Sequence, residues 1–364
     1  MATSRDVAER AGVSPKTVSN VVNGVDARVS KETAERVRRA IAELGYQPNL
    51  NARRLRTGRS RMLALVVPDL RNPYFAKVAA ASIKVARSFG YNLFIEETGD
   101  DPEAELSASR GFGDPMIEGV ILAPLRLDQT QLEAEPQTPV VLLGERDPEV
   151  SLTRVGFDNR EAGRAITSHL IERGYRRIGV IGQTGTELNP TASRRYEGYV
   201  QAHREVGLKV IRSLAPAYGP SAYDREGGKQ QALALLHLPK PPDALFCLAD
   251  VLAFGAIAAA DEMGLGIPED IGITGFDGLD EAINRKPTLT TVVPDIESMA
   301  TAAVRALVDR DQAESGNAGP DINCSFEVIY GDSTRASPAR VARSAVANVQ
   351  PRVEPAARRL TRRS

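Results

Sequence analysis

Seven short runs dense in apolar and β-branched residues recur through most of this chain, at 63–67, 92–95, 119–123, 139–143, 177–181, 244–248 and 271–274. Helix-length stretches separate them. Runs of four or five residues are the length of strands, and near-continuous apolarity marks strands buried on both faces. Strands that alternate with helices form βαβ units, whose crossover helices cover both faces of a parallel sheet. About 270 residues follow this pattern, too many for one such sheet, so the body is expected to divide into two α/β subdomains.

The residues ahead of the first run obey different rules. "RDVAERAGVSPKTVSNVVNG" holds two short helical patterns separated by "GVS". Thr3 or Ser4 can cap a helix over Arg5–Ala11, with Val7, Ala8 and Ala11 on one face. Gly12 suits the helix exit, where a left-handed residue is cheapest without a Cβ. Ser14 is the next cap, with Pro15 at the first helical position, where its missing N–H costs nothing. Val18, Val21 and Val22 form a buried stripe, which leaves Lys16, Thr17, Ser19, Asn20 and Asn23 outside. This is a helix-turn-helix pattern, and its second helix has the short hydrogen-bonding side chains of one that reads base edges. A helical hairpin with no role on DNA is the alternative.

Ser30 caps a third helix, whose Ala34, Val37, Ile41 and Leu44 would close a small core, and Gly45 ends it. "YQPNLNARRLRTGRSR" follows, with five arginines and Leu55 between Arg54 and Arg56. A basic segment this short is marginal as an isolated helix. It is expected to order against phosphates, or else to act as a flexible linker.

Charge divides the chain the same way. Residues 1–61 carry 13 Lys/Arg against 6 Asp/Glu, residues 336–364 carry 7 against 1, and the body between carries 26 against 40. A basic head on an acidic body suits a head that meets a polyanion, although a merely solvated basic surface has the same composition. "MATSRDVAER" has no apolar signal core, and no stretch reaches the roughly 18–20 apolar residues of a membrane span. A cytoplasmic protein with no membrane partner is expected. The two cysteines, Cys247 and Cys324, fall in apolar runs and read as core. His169, His203 and His237 are scattered without ligand spacing, and no nucleophile motif is present. "GVIGQTG" reads as turn chemistry rather than a phosphate loop. No enzyme, metal or cofactor is therefore expected. The Ala/Arg/Pro-rich tail from 336 has no leucine heptads, so it reads as a disordered basic tail, and a dimer is expected rather than a coiled-coil tetramer.

The opening motif, "VSKETAERVRRAIAELGYQPNLNARRLRTG", "LALVVPDLRNPYFA", "VGFDNREAGRAITSHLIERGYRRIGVIG", "SRRYEGYVQA", "ALFCLADVLAFGAIAAADEMGLGIPEDIGITGFDG" and "PTLTTVVPD" resemble, in this order, the LacI/GalR family of transcription regulators. The resemblance implies an all-α helix-turn-helix head over 1–47, a hinge over 48–61 and an α/β periplasmic-binding-protein-like core of two parallel-sheet subdomains over 62–335. The first subdomain would comprise about 62–159 with 296–321, and the second about 160–293 with 323–335. Lys16, Thr17 and Asn20 would face base edges, with Ser19 nearer the phosphates and Arg28 also on DNA. Lysine can donate to guanine, and asparagine can pair with adenine. Leu55 would wedge into the minor groove between Arg54 and Arg56, kinking the duplex.

In the core, the resemblance places Tyr74, Phe75, Thr191, Arg195, Asp250 and Asp277 around a small-molecule effector. Asp250 reads equally as the cap of the helix after it, and Tyr74 and Phe75 as ordinary core. The chain departs from the family's pattern at Pro15, at Ala222 (with Tyr223 beside it), at Ala249 and over 107–116, so pocket and half-site are expected to differ. The expected function is an operator-binding repressor, a homodimer on a near-palindrome, controlled by a carbohydrate or related metabolite. A purine or other small molecule remains open as effector. An activator of the same family is the alternative, and a solute-binding protein a more distant one.

Overall fold

The structure is a computed structural model that describes residues 2–22, 29–46, 60–99, 101–127, 132, 137–145, 150–184, 189–219, 223–309 and 320–335. It divides after Ser60 into two compact units.

Three helices form the first unit: α1 Ser4–Ala11, α2 Pro15–Val22 and α3 Lys31–Glu43. Thr3 begins α1 with a reciprocal cap: its hydroxyl accepts from Asp6 N at 3.3 Å, and the Asp6 carboxylate accepts from Thr3 N at 2.7 Å. Gly12 leaves the helix at φ +65°, where a side chain would strain the backbone. Ser14 Oγ accepts from Thr17 N at 3.1 Å to start α2, and Ser30 Oγ accepts from Thr33 N at 3.3 Å to start α3. Val7, Ala8, Ala11, Val18, Val21, Ala34, Val37 and Ala40 are buried together. Val22, Ile41 and Leu44, expected in this core, are only partly buried against it. The reason is size: alanines at 8, 11, 34 and 40 fill the centre of so small a bundle, and larger side chains pack at its margin.

The second unit holds two sheets. In the first, β1 Met62–Val67, β2 Asn92–Glu97, β3 Val120–Leu122, β4 Val140–Leu143, β5 Thr153–Gly156 and β10 Asp321–Asn323 run parallel in the order β10-β5-β4-β3-β1-β2. The second has the order β11-β9-β8-β7-β6, from β6 Ile178–Ile181, β7 Ala244–Cys247, β8 Gly272–Phe276, β9 Thr290–Pro294 and β11 Phe326–Ile329, with only β11 antiparallel. Helices α4 Pro73–Ser88, α5 Pro102–Ser109 and α11 Ile296–Val308 pack on the first sheet. On the second pack α6 Asn159–Glu172, α7 Pro190–Glu205, α8 Arg225–Leu236 and α9 Asp250–Glu262, while the short α10 Asp280–Asn284 follows β8. The chain passes three times between the sheets, after β5, β9 and β10. Backbone bonds tie these crossings together: Cys324 N donates to Gly156 O at 2.7 Å, and Asp295 N to Ser325 O at 3.0 Å.

Four strands, β5, β9, β10 and β11, lie outside the apolar runs of the sequence. β5 hides a charge: Arg154 is buried, its Nε donating to Gly144 O at 2.6 Å and its NH1 to Asn323 Oδ1 at 2.7 Å. In β9, Thr290 and Thr291 are fully buried, their hydroxyls donating to Gly331 O and to the Asp250 carboxylate. The remaining two are half-exposed edge strands. Cys324, expected in the core, is likewise only half-buried.

Candidate functional site

The face of α2 opposite the Val18/Val21 stripe carries Lys16, exposed, and Thr17, Ser19 and Asn20, half-exposed. Lys16 and Asn20 are four residues apart and therefore stand side by side. The Thr17 hydroxyl bonds Ser14 Oγ at 2.9 Å, so it helps start the helix. Arg28, Arg54, Leu55 and Arg56, with the rest of the expected hinge from 48 to 59 and the tail from 336, lie outside the described residues.

In the second unit, a cavity of about 310 Å³ opens at the carboxyl ends of the strands, between the two sheets. This is where open α/β sheets leave room for ligands. Tyr74, Phe75, Thr191, Arg195 and Asp277 all line it, although they are drawn from α4, α7 and the turn after β8.

Arg195 is at the centre. It is only 5% exposed, its Nε donates to Asn159 Oδ1 at 2.9 Å, and its NH1 donates to Leu248 O at 2.5 Å. The Asp277 carboxylate lies 3.5 Å from the same NH1. The guanidinium sits 3.6 Å above the centre of the Phe276 ring, a cation–π contact that favours a planar charge stripped of water. Gly163 makes this placement possible: a Cβ there would stand 2.2 Å from the Arg195 carbonyl oxygen, so only glycine lets α6 and α7 approach this closely. Asp277 itself has φ +115°. Burial pushes its carboxyl above the usual range, while Arg195 holds the charge partly in place.

Asp250 does not belong to this lining. It is fully buried, accepts from Leu279 N at 2.7 Å and from Thr291 Oγ1 at 2.6 Å, and so staples the turn after β8 to β9. Nor does it cap α9, whose N-cap is Ala249 without a side-chain bond. Both expectations for Asp250 are corrected, for one physical reason. Its side chain turns towards β8, where Gly275 leaves the space; a Cβ on Gly275 would stand 2.1 Å from Asp250 Oδ1. Burial first, and the nearby Asp277 charge second, push the Asp250 carboxyl up.

Several lining residues escaped the sequence reading: Asn159, Phe157, Tyr223, Asp224, Glu145 and Leu125. Tyr223 donates its hydroxyl to Leu248 O at 3.0 Å, beside Arg195, and burial drives its phenol up. Its signal was its neighbour, since Ala222 occupies the often aromatic position and lies outside the described residues. Asn159 had only the "DN" that opens α6 as a signal. The "GVIGQTG" turn is structural at Gly182. Gly182 N donates to the Gln231 side chain at 2.8 Å, and a Cβ there would meet Leu252 at 2.3 Å.

Both units match known proteins. Residues 3–49 match the family model for bacterial regulatory proteins of the lacI family, and residues 167–334 match that for a periplasmic binding protein-like domain. The HTH-type transcriptional repressor CytR of Escherichia coli is 34% identical over 340 residues, 93% of this chain and 97% of the relative. The HTH-type transcriptional repressor PurR of Haemophilus influenzae is 33% identical over 314 residues, 85% of this chain and 91% of its own. Among solved structures, a lac repressor dimer bound to operator and an anti-inducer superposes with a TM-score of 0.76 at 25% identity, over 92% of this chain and 99% of the other. The transcriptional regulator CelR in complex with cellobiose gives a TM-score of 0.66 at 29% identity, over 92% of this chain and all of that one.

Proposed function

Because this chain belongs to the LacI family of bacterial regulatory proteins, we propose that it is a cytoplasmic repressor that grips a near-palindromic operator as a homodimer and responds to a carbohydrate or related metabolite in its cleft. One head offers a single short helix to the groove and can read only a few base pairs, so two heads on a two-fold site supply the specificity. Lys16, Thr17 and Asn20 read bases, with Ser19 nearer the backbone and Arg28 also on DNA. Leu55, between Arg54 and Arg56, is the wedge at the operator centre.

The observation that carries the sensing half is the Arg195–Asp277 pair facing a cavity between two sheets. A guanidinium and a carboxylate together bracket ligand hydroxyls, while Tyr74 and Phe75 offer ring faces. The relatives are transcriptional regulators, so the lining is read as a sensor. Effector biases the relation of the two lobes, the lobes set the spacing of paired hinges, and the hinges decide whether the wedges insert. Shifting the operator from mostly occupied to mostly free requires a differential affinity of several kcal/mol between the two states.

Selection of bound duplexes from a random pool at fixed salt tests the DNA half. A two-half-site near-palindrome with a deformable central step is expected. Binding that is salt-sensitive but enriches no sequence would overturn it. Leu55→Ala should then weaken the selected operator far more than random DNA, and an equal loss on both would remove the wedge.

A further inference from the structure

The charges around the cleft say what kind of molecule it admits. Among the described lining residues, five are carboxylates: Asp69, Glu97, Glu145, Asp224 and Asp277. Two are guanidiniums, and both are already engaged. Arg71 forks onto both oxygens of Asp69, at 3.0 and 3.1 Å. Arg195 is held by Asn159, Leu248 O and Asp277. The next cations back from the surface are committed too: Arg154 lies 3.8 Å from Glu145 and is bonded to three other groups, and Lys77 is bonded to Gly278 O and Asp280.

Helix N-termini are the other seats that α/β folds give to anions. Five helices begin at the cavity with a lining residue or its neighbour, and each first turn is already capped; at α6, Asp158 accepts from Glu161 N at 2.8 Å. Asn72 accepts from Tyr74 N at 3.1 Å, Asn189 from Ala192 N at 3.0 Å and Asp224 from Gly227 N at 2.7 Å. At α9, the Asp250 N–H is taken by the Asp277 carboxylate.

We infer that the cleft takes an uncharged polyhydroxylated ring, a free sugar or a nucleoside, and rejects the same molecule once it is phosphorylated. The inference rests on the reading of the cleft as the effector site and deepens it. Hydroxyls find acceptors in Glu97, Glu145 and Asp224, and ring faces find Tyr74 and Phe75. A phosphate would enter a field of like charge without a seat, and like-charge juxtaposition of this kind weakens binding by at least ~100-fold. The regulator would thus register a metabolite before phosphoryl transfer consumes it.

Matched pairs test this with the full-length protein on its selected operator: glucose and glucose 6-phosphate, ribose and ribose 5-phosphate, cytidine and its 5′-monophosphate, adenosine and its 5′-monophosphate, with cellobiose alone. Operator release and thermal midpoint are both read. At least one uncharged member should act, its phosphate ~100-fold more weakly or not at all, and which pair responds separates sugar from nucleoside. The double variant Glu97→Gln, Asp224→Asn keeps an acceptor oxygen at each place and should narrow the gap within a pair. A phosphorylated compound acting as well as its parent, or a gap unchanged in the double variant, overturns the inference and leaves the effector site standing. A panel without any active member removes the effector site, and this inference with it.

Discussion

The two walls of the cleft are built by opposite means. On the second lobe, polar groups hold one another: Arg195 bonds Asn159 and Leu248 O, faces Asp277, and Asp250 staples the turn that carries Asp277. On the first lobe, the wall sets apolar Tyr74, Phe75, Leu125 and Met299 beside the carboxylates Asp69, Glu97 and Glu145, and its loop after β3 is held from behind. Glu105 of α5 is fully buried and accepts from three successive N–H groups, Leu125, Arg126 and Leu127, at 2.9, 3.1 and 2.7 Å. That loop follows β3 and brings Pro124 and Leu125 to the cavity. A network transmits a disturbance through every member, whereas a single anchor fails locally. The second wall should therefore be the brittle one, and the first the adjustable one.

Asp277→Ala is the severest way to test this contrast. It leaves the Arg195 charge buried without its carboxylate, so the core should lose ~3–5 kcal/mol in urea unfolding. Asp277→Asn tolerates the positive φ and should cost less. Both should abolish the effector response while the folded protein still binds operator. A normal response in Asp277→Asn would take this residue out of the site.

Glu105→Ala should cost less, about 2 kcal/mol, for one buried and two half-buried donors left without their acceptor. Hydrogen exchange should quicken at Leu125, Arg126 and Leu127 and stay unchanged around Arg195 and Asp277. Quickening in both places would mean that the two walls are one network, and the contrast would collapse.

Acid offers a smaller, selective probe of the second lobe. His169 of α6 is buried, its Nε2 within 2.9 Å of Thr334 Oγ1, under the ring of Tyr330 at 4.6 Å. Burial, with Arg173 adding to it, pulls the imidazole down to about 4. The folded protein thus resists a proton that the unfolded chain takes up near pH 6.5. Stability from this group is full above that pH and falls away towards pH 4, by ~1–2 kcal/mol after allowance for solvent. Asp250 and Asp277, whose carboxyls are pushed up, act in the opposite sense over the same window. The quantity to measure is therefore the difference between the wild type and His169→Asn across pH 4–7. A flat difference would sink this assignment.

What the sequence disclosed follows the same division between local and distant causes. The head was legible because its signals act within four residues: Thr3 with Asp6, Ser14 with Thr17, Gly12 at its turn. The apolar strands were legible for the same reason. β5 was not, since Arg154 looks like a surface residue until Asn323, 169 positions away, accepts its proton. Tyr74, Phe75, Thr191, Arg195 and Asp277 came from family resemblance, and the fold brings them to one cavity. Asp250 went astray because its partners, Leu279 and Thr291, lie 29 and 41 residues on. Glu105 gave no signal at all, because a glutamate in a short, polar helix normally faces water.

The smallest expected effect on stability bears most on how the walls communicate. Lys77 of α4 reaches across to the second lobe, donating to Gly278 O at 2.8 Å and pairing with Asp280 at 3.1 Å. Gly278 is the residue after Asp277, so one flexible side chain of the first lobe holds the turn on which the second wall depends. The Asp280 carboxylate is largely exposed, and such a pair contributes only ~0–1 kcal/mol. Lys77→Met keeps the stem and removes the charge, so the urea midpoint should scarcely move. The effector concentration needed for half-release of operator should shift several-fold, because the bond changes with the relation of the lobes and not with the integrity of either. An unfolding free energy that falls by more than ~2 kcal/mol would make Lys77 part of the second wall's network instead, and an unchanged effector response would mean that the walls communicate without it.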